Sequence, residues 1–218
     1  MKQQLIECVP NFSEGRDLAI IKQITNEIES VDGVKLLDVD PGAATNRTVV
    51  TFVGTPEAVI EAAYKAIVKA GEIIDMSKHK GEHARMGATD VCPLIPVANI
   101  SMEETSQWAV KLAKKVGETT HIPTYLYGAS QSDTKRNVLS IIRTGEYEGF
   151  FEKIKRPEWK PDFGPSIYSA RSGATVIGAR DFLIAYNINL NTTSTRIANR
   201  IALSLIHISE PTRQAEIS

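Results

Sequence analysis

Two of the chain's four histidines fall in one short stretch, Asp75-Met76-Ser77-Lys78-His79-Lys80-Gly81-Glu82-His83-Ala84-Arg85-Met86-Gly87. An imidazole titrates near neutrality, so a pair of them beside a carboxylate and several cations suits proton transfer on an anionic substrate. The glycines let backbone come close to a ligand. Three readings of this loop stand side by side. In the first, His79 and Lys80 are solvated and His83 is a hydrogen-bonded structural residue. In the second, His79-Lys80-Gly81-Glu82-His83 fits the H-x-x-E-H metal pattern, which needs an unbroken helix to bring both imidazoles to one face. Gly81 costs that helix about 1 kcal/mol, and Lys78, Lys80 and Arg85 would place positive charge beside a divalent ion. In the third, His83 is a general base and the neighbouring cations bind carboxylate.

The elements that must position these groups are readable from hydropathy. Gln4 to Phe12 reads as a strand, and Leu18, Ile21, Ile24 and Ile28 recur at helical spacing up to Gly33. Val34 to Val39 and Thr48 to Val53 read as strands around a Pro41-Gly42 turn. An Ala-rich helix from Thr55-Pro56 to about Ile74 follows, and then the histidine loop. Cys92 to Ile100 is the next strand, Met102 to Val116 a helix and Ile122 to Tyr127 a strand, with His121 a structural residue at its start. The order β-α-β-β-α-β predicts an α+β fold of the ferredoxin-like, split βαβ kind, with an antiparallel sheet, helices on one face and a second face in need of cover. Ser130 to Arg143 is helical but polar, Gly145 to Lys160 a short helix and a connection. A hydroxyl-rich loop, Gly164 to Gly173, leads into Ala174 to Ala179. Phe182 to Leu190 reads as a further strand, and Asn191-Thr192-Thr193-Ser194 as the cap of a helix beginning near Arg196.

Composition sets outer limits. With 218 residues, 42% hydrophobic, 23% charged and a net charge of -1, the chain is a soluble globular one with no broad attraction for nucleic acid. Two cysteines, Cys8 and Cys92, make no disulfide framework and read as buried thiols of a reducing compartment. The absence of a long apolar run or a signal sequence makes a cytoplasmic, membrane-free protein the expectation.

Six segments then carry a resemblance. They are Glu7-Cys8-Val9-Pro10-Asn11-Phe12-Ser13-Glu14-Gly15, Leu37-Asp38-Val39-Asp40, Thr45-Asn46-Arg47-Thr48, His79 to Ala88, Asp90-Val91-Cys92-Pro93 and Asp162-Phe163-Gly164-Pro165-Ser166. In this order and spacing, over about Gln4 to Ala202, the chain resembles the glutamate formimidoyltransferases, both the stand-alone bacterial enzymes and the equivalent domain of formimidoyltransferase-cyclodeaminase. The resemblance implies two ferredoxin-like subdomains facing each other across an electropositive tunnel. It also implies transfer of the formimino group of N-formimino-L-glutamate, a product of histidine breakdown, to nitrogen 5 of tetrahydrofolate. Tetrahydrofolate is then a co-substrate, no metal is involved, and the intact enzyme is expected to be a homo-oligomer.

Carried over residue by residue, the catalytic histidine is His83. The folate loop is Gly164, Pro165, Ser166, Ile167, Tyr168, Ser169, Ala170, Arg171, Ser172 and Gly173. Asp40 is the candidate to orient His83, with turn capping as the competing explanation. Arg47, Lys80, Arg85 and Arg171 are candidates for substrate carboxylates, and Tyr168 for stacking on the pterin, unless it is simply an exposed loop tyrosine.

The chain departs from the family beyond residue 180. Residues 1–180 correspond to the N-terminal subdomain, and 181–202 only begin the second. Residues 203–218, from Leu203-Ser204-Leu205-Ile206-His207 through Pro211, abandon the helical pattern and resemble translated sequencing adapter. The expectation is a half-built tunnel, an uncovered sheet face that invites self-association, and weak or absent turnover, the alternative being a catalytically idle folate-binding or subunit-interaction module.

Overall fold

The first strand position is shared by two short strands, β1 (Leu5–Cys8) and β2 (Asn11–Phe12). Pro10 has no N–H to give the ladder, yet Val9 N donates to Pro93 O and Val50 N to Pro10 O, so pairing continues past the interruption. Helix α1 (Leu18–Glu29) starts at Asp17, whose carboxylate accepts from Ala19 N and Ile20 N, and buries Ile21, Ile24 and Ile28. Strands β3 (Val34–Gly42) and β4 (Arg47–Gly54) form a hairpin, and α2 (Pro56–Ile73) begins with proline in its first turn. Strand β5 (Thr89–Ala98) and helix α3 (Met102–Thr120) follow, α3 opened by a reciprocal Ser101/Glu104 capping box. Then come β6 (Thr124–Gly128), α4 (Leu139–Arg143), α5 (Glu146–Lys153) and β7 (Thr175–Ala179). The computed structural model describes residues 2–183, 188 and 190–208, in two units that divide between Phe182 and Leu183.

In the first unit the sheet runs β3-β4-(β1 and β2)-β5-β7-β6. Its antiparallel part, from β3 to β5, is the expected split βαβ unit. Beyond β5 the sheet is parallel, because β7 inserts between β5 and β6. This mixed extension corrects the expectation of a purely antiparallel sheet. Along β4, Thr48, Val50, Phe52 and Gly54 are buried, while Arg47, Val49, Thr51 and Val53 are half-buried. The buried set, with Ile6, Cys8 and Leu94, meets the apolar faces of α1 to α3. Each such large side chain contributes about 1.5–3 kcal/mol. Cys8 and Cys92 face each other there as free thiols with Sγ atoms 3.4 Å apart, and burial pushes the Cys8 thiol well above its ordinary range.

Several boundaries differ from expectation for physical reasons. The hairpin turns at 43–46 rather than at Pro41-Gly42, because β3 is an edge strand whose outer side needs no N–H from Pro41. Only Leu139–Arg143 of the segment from Ser130 is α-helical. Asp162 accepts there from Leu126 N, Gln131 and Arg136, which ties the preceding stretch to β6 as a loop.

In the second unit, Thr195–Ile208 is a helix, α6, with Ser194 Oγ accepting from Ile197 N at 3.4 Å. It continues past Leu203, where the sequence pattern is expected to break. Residues 203–208 include nothing that forbids a helix, and Pro211 lies outside the described residues. The strand expected over 182–190 falls largely outside them too, and Phe182, Leu183, Ile188 and Leu190 carry no strand. Among the described residues no helix is long and apolar enough to cross a membrane.

Candidate active site

At one end of the sheet the β2–α1 turn, the β3–β4 hairpin and the histidine loop meet. Asn46, at φ 48 in the hairpin, is the junction. Its Oδ1 accepts from Gly15 N at 3.0 Å and its Nδ2 donates to Lys80 O at 3.1 Å. Its carbonyl accepts from His79 Nε2 at 2.8 Å. Glu82 N adds a bond to Ala44 O. The loop lies so close that a Cβ on Gly81 would sit 2.1 Å from Thr45 O. Residues 79–85 are therefore a hairpin-bound loop that bends at Glu82 and His83, and not the helix that the H-x-x-E-H metal reading requires. Among the described residues no three His, Cys, Asp or Glu side chains converge on a cation position.

Arg85 fastens the far side of the loop. It pairs with Glu148 at 2.7 Å and Glu146 at 3.1 Å, its Nε donates to His79 Nδ1 at 3.3 Å, and it is only 11% exposed. His79 thus uses Nε2–H as donor and Nδ1 as acceptor, the pattern of a neutral ring, and burial holds its pKa below the usual value. It is a bound structural residue rather than a solvated one.

His83 differs. Its Nδ1 lies 2.7 Å from Ala84 O, a contact that only an N–H can make, so the neutral ring carries its proton on Nδ1 and its lone pair on Nε2. Arg47 Nη1 approaches the ring edge, 2.6 Å from Nδ1 and 2.5 Å from Nε2, and with the Nδ1 proton turned to Ala84 O it is Nε2 that can accept from it. Half-burial lowers the His83 pKa, and the charges of Arg47 and Arg143 lower it further, against the opposing hydrogen bond to Ala84 O and the carboxylate of Asp90. At neutral pH His83 is an unprotonated acceptor. Arg47 is held in turn by Asn11, whose Oδ1 accepts from its Nε at 2.9 Å and also from Nη2. Asn11 pairs with Val49 across the sheet, which puts Asn11 and Arg47 on the face away from α1 to α3. Asp90 is 1% exposed, accepts from Met86 N at 3.0 Å and forms an ion pair with Arg143 at the end of α4. Beside Arg143 the surface opens into a cleft of about 590 Å³, lined also by Ala84, Ser140, Thr144 and Glu146.

Of the residues singled out from sequence, the structure brings Arg47 to His83. Asp40 is exposed on β3, paired with Val49 in register, with no hydrogen bond to His83. Lys80 is exposed on the loop, and Arg85 spends its guanidinium on Glu146 and Glu148. The loop from Gly164 to Gly173 packs beside Met86-Gly87-Ala88, since Ala88 N donates to Ser172 O at 2.8 Å and Gly173 bridges to Gly87. Ser169 O accepts from Gly173 N, Ala170 O from Tyr147 Oη, and Arg171 donates to Glu72 O. Ser166 and Ile167 are exposed, next to the half-buried Pro165. Tyr168 is no exposed stacking platform. It is buried against Tyr147, Phe150 and Phe151, with its hydroxyl on Met86 O. Sequence reasoning missed Asn11, Asp90 and Arg143 as parts of the site. The first two lie inside segments quoted for the resemblance, so their type was visible, whereas nothing local marks Arg143.

Fold and site together define a split βαβ domain that carries an acid/base-competent imidazole among guanidinium groups. The chain belongs to the formiminotransferase family: residues 5–180 match the formiminotransferase domain, N-terminal subdomain. It is 54% identical to the formimidoyltransferase-cyclodeaminase of Gallus gallus over 202 residues, 93% of this chain and 37% of that protein. It is 48% identical to the glutamate formimidoyltransferase of Thermoplasma acidophilum and 41% to that of Streptococcus pyogenes, spanning 67% of each. The chain thus spans little more than a third of the cyclodeaminases and two thirds of the stand-alone relatives.

Proposed function

We propose that the chain is the base-bearing part of a glutamate formimidoyltransferase that moves the formimino group from N-formimino-L-glutamate to nitrogen 5 of tetrahydrofolate in cytoplasmic histidine degradation. The observation that carries this reading is the lone pair of His83 Nε2, beside Arg47 and Arg143. Nitrogen 5 attacks the formimino carbon and forms the new C–N bond. His83 Nε2 takes the proton that nitrogen 5 loses. The imidazolium then gives it to the glutamate nitrogen as the old C–N bond breaks, and glutamate leaves as the free amine. Such positioned proton transfer contributes about 100- to 10,000-fold. A substrate carboxylate arriving at Arg47 competes with Nε2 for the same N–H, so binding frees the lone pair that chemistry needs.

In this reading a second subdomain supplies the opposite wall of the folate site, the loop from Gly164 to Gly173 approaches folate through Pro165, Ser166 and Ile167, and the intact enzyme self-associates. Asp40 faces the substrates, with its contact to His83 made only in their presence. Residues 181–202 open the second subdomain and 203–218 are foreign to the gene. Because the chain spans only part of its relatives, folate binding without turnover is the expected behaviour of this polypeptide alone.

The test continues residues 1–202 with the C-terminal half of the Thermoplasma acidophilum relative and follows 5-formimino-tetrahydrofolate by mass spectrometry. His83→Ala is expected to lower kcat at least about 100-fold with KM little changed. A folded but inactive chimera that still binds tetrahydrofolate would overturn the transferase reading in favour of a binding module.

A further inference from the structure

Asn11 has an unusual partner. Its side-chain carbonyl accepts two N–H groups of Arg47, and its amide donates to Val9 O at 2.8 Å. That second bond fixes which end of the amide faces the guanidinium. Half-buried arginines are ordinarily held by carboxylates, which cancel their charge. A neutral amide grips the guanidinium without adding a countercharge, and the carboxylate that acts on Arg47, Asp90, is itself ion-paired with Arg143. With Nε and Nη2 committed to Asn11, Nη1 is the nitrogen left facing His83.

We propose that Asn11 is a positioning residue that holds the Arg47 guanidinium against the His83 ring and keeps it available to an anionic substrate. The inference deepens the acid/base reading of His83, yet it predicts an equilibrium property that needs no turnover. The groups facing His83 from the packed elements are Arg47 on β4, Asp90 on β5 and Arg143 on α4. Asp90 and Arg143 are paired with each other, which leaves Arg47 as the cation whose orientation Asn11 controls.

The test is an NMR titration of the ring-labelled 218-residue chain, with the His83 signal assigned by its loss in His83→Gln and with His79 as internal reference. Arg47→Met and Asn11→Ala are each expected to raise the His83 pKa by at least about 0.5 unit. Asn11→Asp, which keeps an acceptor but adds charge, is expected to raise it further. His79, bonded to Asn46 and Arg85, should stay put. If His83 moves in Arg47→Met but not in Asn11→Ala, the positioning role is wrong. If it does not move in Arg47→Met, the link from Arg47 to the ring is wrong. Equal movement of His79 and His83 would reduce Asn11 to a general structural part and also overturn the proposal. Should Asn11→Ala fail to fold, Asn11→Leu, of similar size but without an acceptor for Arg47, decides. None of these results touches the His83→Ala transfer assay, so the two readings fail separately.

Discussion

The histidine loop is held by close approach, and Gly81→Ala tests that directly. A Cβ there meets Thr45 O at 2.1 Å, Thr45 C at 2.8 Å and Asn46 Cβ at 3.0 Å, two of them backbone atoms that cannot swing aside. An ordinary C···O contact is about 3.3 Å, so the loop must retreat from the hairpin by about 1.2 Å. That distance loosens the bonds from Asn46 Nδ2 to Lys80 O, from Glu82 N to Ala44 O and from His79 Nε2 to Asn46 O. With about 1 kcal/mol net for each bond and partial relaxation, the expected loss is about 2–3 kcal/mol. Urea unfolding of the chain measures it. A misplacement of about 1 Å typically costs about 100-fold in rate, which the chimera's transfer assay reads. Gly149→Ala in α5 is the control, because nothing lies within 4 Å of its Cβ. Removing a helical glycine there should stabilise by up to about 1 kcal/mol. A Gly81→Ala chain within about 0.5 kcal/mol of the parent, with unchanged transfer, would refute the argument.

Tyr168 should behave as a core residue. Tyr168→Phe keeps the ring among Tyr147, Phe150 and Phe151 and loses only the bond to Met86 O. A loss of about 1 kcal/mol is therefore expected, against about 3–5 kcal/mol for Tyr168→Ala. Folate affinity reduced tenfold in Tyr168→Phe would contradict this placement. The pH dependence has a definite sign. His79 and His83 both titrate below their ordinary value in the fold because burial disfavours the imidazolium. Their contribution is complete above the unfolded imidazole pKa and is lost as pH falls through the lowered folded values. Stability should therefore decline between about pH 7 and about pH 5, ahead of the carboxylates. Asp75 and Glu148, held below their ordinary values by hydrogen bonds and cations, add a second loss below about pH 4.5. Flat urea midpoints from about pH 7.5 to about 5.5, or a slope unaltered in His79→Gln, would sink this account.

Local signals carried the first half of the fold. Leu18, Ile21, Ile24 and Ile28 at helical spacing, the Thr55-Pro56 start and the alternating β4 fix α1, α2 and the antiparallel unit, because each pattern lies within one element. The insertion of β7 was not readable, since a buried pairing between Thr175–Ala179 and strands far back in the chain leaves no mark in either segment. The site divides in the same way. His83 and Arg47 stood out by residue type, whereas the neutral grip of Asn11 and the Asp90–Arg143 pair exist only once the β2, β5 and α4 segments are brought together. Arg85 and Tyr168 looked free because their partners, Glu148 and the aromatic cluster of α5, belong to an element whose packing no local pattern announces.

The place of β7 also dictates when this protein can become whole. Strands β5 and β6 never pair; each is joined to the other through a strand made some fifty residues after β6 begins, Thr124 against Thr175. On a ribosome, the antiparallel unit can close early, but β5 and β6 must wait with open parallel edges until residue 179 emerges. The interval is a window for mispairing and for chaperones. A nascent chain halted inside the loop from Gly164 to Gly173 would already possess His83 and Arg47, and yet lack the strand that seals the sheet behind them.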